Sequence, residues 1–150
     1  MKILIIIAAI FLLNSNTLQA QVTGNPKGGI IDSKGNIYMG GTKLGFITKD
    51  SLIKNAKGEK IAFLKSNGTL EDANGKSLGR WGKDGKTFYD EKGVVVLQIK
   101  DNADTETCDI LDASGKKIGN VHDSYKGVAC ALHCFSYQMD PKTHRKQKNR

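Results

Sequence analysis

ILDASGKKIG, residues 110–119, decides the fold, because its skeleton recurs in four other places. The same order, an apolar residue, then Asp or Asn two residues on, then Gly, is read in IIDSKG (30–35), IKNAKG (53–58), LEDANG (70–75) and FYDEKG (88–93). The carboxylate or amide falls at Asp32, Asn55, Asp72, Asp90 and Asp112. Glycine follows three residues later at Gly35, Gly58, Gly75, Gly93 and Gly115. Asp or Asn at the first position of a type I turn caps backbone N–H groups two residues on. Glycine at the fourth position accepts the left-handed backbone that completes a three-residue hairpin loop. Each copy is therefore expected to join two antiparallel strands.

That loop also predicts a pairing. The residue two before the Asp should face the residue three after the Gly, giving Ile30/Tyr38, Ile53/Ile61, Leu70/Leu78, Phe88/Val96 and Ile110/Ile118. All ten are apolar or aromatic, as a buried face built of cross-strand pairs requires. Asn67-Gly68 and Asp84-Gly85 read as two-residue turns between copies. A meander of short strands at a regular step implies a repeat architecture, whose edges disappear when the sheet closes. The expected fold is all-β: a shallow pseudo-symmetric barrel of five antiparallel hairpin repeats. VACALHCF (128–135), a continuous apolar run, is expected to be its closing strand, with a helix as the alternative. Four after each Gly stand Met39, Ala62, Gly79, Leu97 and Gly119, three of them very small. Such residues point to close approach of strands near an axis, with flexible packing as the alternative.

Residues 1–20 are expected to be a secretory signal peptide: Met1-Lys2, then the apolar ILIIIAAIFLL (3–13), then a polar stretch ending in Ala20. Eleven apolar residues are too few for a membrane span, which needs about 20. No Cys lies near the cut, so the lipoprotein route is not expected, and the mature chain should be periplasmic or secreted. Residues 21–141 then form a single domain and 142–150 a basic tail. The formal charge of +8 is concentrated in that tail, at Lys142, Arg145, Lys146, Lys148 and Arg150. Without it and Lys2, 17 basic residues face 15 acidic ones, about +2. This distribution gives no reason to expect nucleic-acid binding. It leaves the tail as solvated chain or as a contact for an anionic membrane surface. The odd count of cysteines, Cys108, Cys130 and Cys134, allows one bridge with a free thiol or three buried thiols.

The hairpins IIDSKGNIYMGG, LEDANGKSLGRWGKDGK and ILDASGKKIGNV behind a signal peptide resemble the five-fold beta-flower proteins of bacteria, over roughly residues 28–135. The resemblance implies a barrel of hairpin petals around an apolar central channel, and similarity to Tubby-like barrels, which bind membrane phosphoinositides. It carries no functional residues over to this chain. A weaker resemblance to WG-type repeats rests on Trp81-Gly82 and the IDxxGxxI wording, with Trp-Gly in one copy only.

Residues with catalytic chemistry are sparse. His122-Asp123-Ser124 brings triad residue types together as sequence neighbours, whereas working triads assemble from separate segments. Cys130, His133 and Cys134 supply one arm of soft ligands where structural zinc sites use two. The turn carboxylates come one per loop, several beside Lys, so turn geometry accounts for them better than calcium does. No enzyme, metal or other cofactor is expected. The chain reads as a non-enzymatic exported binding module, taking a lipid or other hydrophobic ligand in its channel or associating with a membrane surface. The alternative is a structural or protein-interaction module of the cell envelope.

Overall fold

The turns behave as their chemistry requires. Asp112 Oδ1 accepts the backbone N–H groups of Ser114 and Lys116 at 2.9 and 3.0 Å, and Gly115 N donates to the Asp112 carbonyl with φ at +83°. Asp32, Asn55, Asp72 and Asp90 cap their loops in the same way. The structure, a computed structural model, describes residues 28–139, with side chains through residue 135. The expected signal peptide and the five cationic residues of the tail lie outside the described residues.

Eleven strands close into an all-β barrel. They are β1 (Gly29–Ile31), β2 (Asn36–Met39), β3 (Thr42–Ile47), β4 (Leu52–Asn55), β5 (Lys60–Leu64) and β6 (Thr69–Asp72). Then come β7 (Ser77–Trp81), β8 (Thr87–Tyr89), β9 (Val95–Asp101), β10 (Thr107–Asp112) and β11 (Lys117–His122). Each strand pairs antiparallel with its sequence neighbours, and β1 meets β11 in parallel. An odd number of up-and-down strands brings the last one back running the same way as the first. The seam is therefore parallel, with Gly29, Ile30 and Ile31 beside Gly119, Asn120 and Val121.

This closure corrects the expected role of residues 128–135. No strand forms there. Val128 ends a 3-10 helix (Asp123–Val128), and Ala131–Met139 form helix α1. The run is apolar all round because α1 lies among the inward side chains. Ala129, Cys130, Ala131, Leu132, Cys134 and Phe135 are buried in one cluster with the barrel wall.

Strand alternation also separates the five motifs. Loops 55–58, 72–75, 90–93 and 112–115 lie at one end of the barrel with the Gly40-Gly41 turn; loop 32–35 lies at the other. Asp32–Gly35 is thus out of phase with the other four copies. Its neighbours at that end include loops 65–68 and 82–85, closed by Gly68 N to Lys65 O and Gly85 N to Gly82 O. The expected two-residue turns at Asn67-Gly68 and Asp84-Gly85 are therefore longer loops resembling the repeated motif.

The pairing changes too. Ile30 faces Tyr38 as expected. Ile53, however, faces Ala62, Leu70 faces Gly79, Phe88 faces Leu97 and Ile110 faces Gly119. A β-bulge makes Ile61, Leu78, Val96 and Ile118 the extra residue of their strands, and Ile118 is 37% exposed. The same irregularity in β2–β3 sets Ile37 opposite Gly45. Bulges add local twist and bend a strand, and a closed sheet needs both.

The inner wall is consequently built of unequal pairs. Ile37, Ile53, Leu70, Phe88 and Ile110 are all 0% exposed. Opposite them stand Gly45, Ala62, Gly79, Leu97 and Gly119, so Gly45 rather than Met39 belongs to the small series. A Cβ on Gly45, Gly79 or Gly119 would collide with the carbonyl oxygen of Lys54, Tyr89 or Gly29 on the adjoining strand. The small wall also makes room for the helix: Leu132 packs over Gly29 and Gly119, and Phe135 over Gly45.

Candidate functional site

The centre of the barrel holds protein side chains. Phe88 stacks edge-on to Trp81 with ring centroids 5.4 Å apart, and the His133 ring of α1 lies 6.1 Å from Phe88. Burial holds the His133 pKa below its ordinary value and drives that of Cys130 well above its own; the buried Cys134 thiol is pushed up to about 12. All three cysteines are free and buried. Thiols in this state are poor nucleophiles, because the thiolate is the reactive form. Of the residues expected to line a channel, Ile53, Leu70, Phe88 and Ile110 face this filled core, while Ile30, Tyr38, Ile61, Leu78 and Val96 are half-buried.

At the end where the 3-10 helix leads into α1, charged groups pin the junction. The Cys108 thiol lies 3.1 Å from Asp123 Oδ1 and 3.3 Å from Asp101 Oδ1. Asp101 also pairs with Lys86 at 2.9 Å and Lys126 at 3.3 Å. Lys86 foremost, then Cys108 and Lys126, bring the Asp101 carboxyl down to about 2. Burial, then the two carboxylates, push Cys108 up to about 12. His122 Nδ1 accepts the Ser124 N–H at 3.2 Å, so this neighbouring trio caps a helix and forms no nucleophile–base pair. Among the described residues no group of three or more His, Cys, Asp or Glu side chains could hold a metal ion.

Two outer faces differ sharply from this apolar interior. On β3–β5, Lys43 lies 5.9 Å from the centroid of the Phe46 ring and Lys60 lies 5.6 Å from that of Phe63. Lys54 sits directly opposite Lys60 across the β4–β5 ladder. Like charges placed so are destabilising, and none of the three lysines has an ion pair among the described residues. Residues 42–65 carry six lysines against Asp50 and Glu59.

The second face is a groove of about 1020 Å³ along the β10–β11–β1 seam, roofed on one side by residues 100–107. Asp109 is among the residues that line it. Its Oδ1 accepts from Lys117 at 2.7 Å, Asn102 at 2.9 Å and Asn120 at 3.2 Å. Burial raises the carboxyl pKa, but the bonds from Asn102, Lys117 and Asn120 outweigh it and leave the group below its ordinary value. In the strand order, β11 and β4, the middle strands of the two faces, have three strands between them one way round and six the other, so the two faces are separate patches of the barrel wall.

Neither face was singled out from the sequence. A signal for the first was present, since KLGF (43–46) and KIAF (60–63) repeat Lys and Phe at the same spacing. The groove depends on a loop folding across two strands, and no local pattern announces that. The expected tail contact lies outside the described residues. No family model, curated protein or solved structure matches the chain.

Proposed function

We propose that this protein is a non-enzymatic, exported binding module that works through its outer surface, with the β3–β5 face set against an anionic membrane. The observation that carries this reading is the group of Lys43, Lys54 and Lys60, without carboxylate partners and interleaved with Phe46 and Phe63. Each lysine near an anionic bilayer contributes about 1 kcal/mol, and apolar side chains such as Phe beside such cations bury into the boundary between headgroups and acyl chains. The filled centre favours surface contact over a lipid or other hydrophobic ligand carried in a channel. The basic tail, Lys142 to Arg150, would add to the same attraction.

Co-sedimentation with vesicles tests the reading. Phosphatidylglycerol-containing vesicles should retain the mature protein at low salt and release it as salt rises; phosphatidylcholine vesicles should not retain it. Lys54→Glu with Lys60→Glu should weaken retention at least about ten-fold, given the contribution per charge. Equal binding to neutral vesicles, or retention indifferent to the double substitution, would refute it.

A further inference from the structure

The two ends of the barrel are unlike. β3, β5, β7, β9 and β11 all start at the end that holds loops 55–58, 72–75, 90–93 and 112–115, and each takes its bulge within its first three residues. The extra residues are Leu44, Ile61, Leu78, Val96 and Ile118, aliphatic in every case. Leu44, Ile61, Leu78 and Val96 pack on the core while staying partly open to solvent. Val94, which follows the 90–93 loop, is 58% exposed. Among the described residues, Val94 and Ile118 are the only large apolar side chains classed as exposed, and both stand at this four-loop end. Sheet curvature accounts for the bulges but not for these two.

Both ends of the described chain lie at that same end. β1 begins there at Gly29. The 3-10 helix packs at the opposite end, where Tyr125 meets Gly35, and α1 then returns through the interior. Leu132 lies beside Gly29, and His133 and Cys134 come within electrostatic reach of Asp90 and Asp72 in the four-loop rim. The segment after Met139, with five cations among residues 142–150, therefore starts from this end. Lysine also precedes three of the five bulge residues directly, as Lys43, Lys60 and Lys117, the last paired with Asp109. Lys43, Lys54 and Lys60 all stand within two residues of strand ends at this rim. We infer that the barrel meets an anionic bilayer end-on, with the bulge residues and Val94 entering the headgroup region and the axis tilted toward Lys43, Lys54 and Lys60. An aliphatic rim bordered by cations matches that boundary, phosphate outside and acyl chain within. The opposite end has no exposed large apolar side chain among the described residues, and its 102–106 loop carries Asp104 and Glu106. This orientation rests on the membrane reading above and adds the surface that touches lipid first.

Fluorescence of the mature protein on phosphatidylglycerol vesicles that contain brominated lipid is the test. The native cysteines are buried, so an environment-sensitive label attaches selectively to Val94→Cys at the four-loop end or to Ser33→Cys in the exposed loop at the other. Binding should shift the Val94→Cys label to the blue and quench it, and leave the Ser33→Cys label unchanged. Val94→Glu with Ile118→Glu, both at exposed positions, should weaken vesicle binding about ten-fold, with an unchanged urea midpoint reporting that the variant folds. Vesicle binding with a silent Val94→Cys label, or with both labels quenched alike, would overturn the end-on orientation and leave the membrane reading standing. No vesicle binding by the unlabelled protein would overturn both. Self-association abolished by the two glutamates, in the absence of vesicle binding, would assign the rim to a second copy instead.

Discussion

Lys60-Ile61-Ala62-Phe63 in β5 and Lys117-Ile118-Gly119-Asn120 in β11 occupy the same place in their hairpins. In each, the second residue is the bulge, the third faces the core, and the fourth returns to the outer surface. Ala62 and Gly119 are both buried, beneath Ile53 and Ile110 on the paired strands. Outside, the resemblance ends. Lys60 lies over its aromatic neighbour, whereas Lys117 is drawn to Asp109 and the buried Asn120 donates to the same carboxylate. The inward positions are constrained by a neighbouring strand and by α1. The outward ones answer only to what the surface must meet, so function should be sought where equivalent positions diverge.

The sharpest way to test the shared inner constraint is to add one methyl group. Gly119→Ala would drive its Cβ into the Gly29 carbonyl across the parallel seam and press on Leu132. A rigid backbone contact cannot relax as a side chain can, so the expected loss is about 3 kcal/mol. Ala62→Gly, the converse change at the equivalent position, removes a methyl from a strand and should cost about 1 kcal/mol. Urea unfolding of the two variants measures both. If they cost the same, the close approach at the seam is not what selects glycine there.

Exchanging the outer residues should have smaller and unequal effects. Asn120→Phe removes a donor from Asp109 and enlarges a buried side chain, with an expected cost of about 1–3 kcal/mol. Phe63→Asn on the half-buried lysine face should cost no more than about 1 kcal/mol while weakening vesicle retention. Equal losses in the two variants would mean that the outer positions are packed alike, contrary to the comparison.

These contrasts also show which parts of the molecule could be read in advance. The turns were legible because Asp or Asn with Gly at fixed spacing is a local device, settled within four residues. Closure into an all-β barrel followed from the meander. The bulges were not legible, since a bulge is fixed by the curvature of the whole sheet, and Ile61, Leu78, Val96 and Ile118 look as suited to a buried face as their neighbours. The phase of Asp32–Gly35 was hidden for a related reason: end-to-end alternation depends on β3, which lies between the first motif and the second. VACALHCF misled because a run buried on every side has no periodicity, whether it is a central strand or an enclosed helix. Of the two outer faces, KLGF and KIAF left a trace, while Asp109 and Asn120 became neighbours only through β10–β11 pairing.

The two sides of the barrel should finally respond differently to acid. Asp101 is held at about 2, chiefly by Lys86, and Asp109 sits below its ordinary value despite burial, through Asn102, Lys117 and Asn120. A carboxyl whose folded pKa is depressed stabilises the folded state fully above its unfolded pKa, near 3.9, and loses that contribution as pH falls toward the folded value. The seam side and the junction into α1 should therefore loosen between about pH 4 and pH 2. Among the described residues, Lys43, Lys54 and Lys60 of the β3–β5 face have no carboxylate partner to lose. His133 adds an earlier step. Its pKa is depressed by burial, so the unfolded chain binds the extra proton first, and stability begins to fall once pH drops below about 6.5. His133→Gln should remove that early step and leave the later one intact. Hydrogen exchange along the acid titration would separate the two, with amides of β10–β11 and α1 losing protection before those of β4–β5. Simultaneous loss on both sides would show that the carboxylate network does not set the local acid stability of the seam.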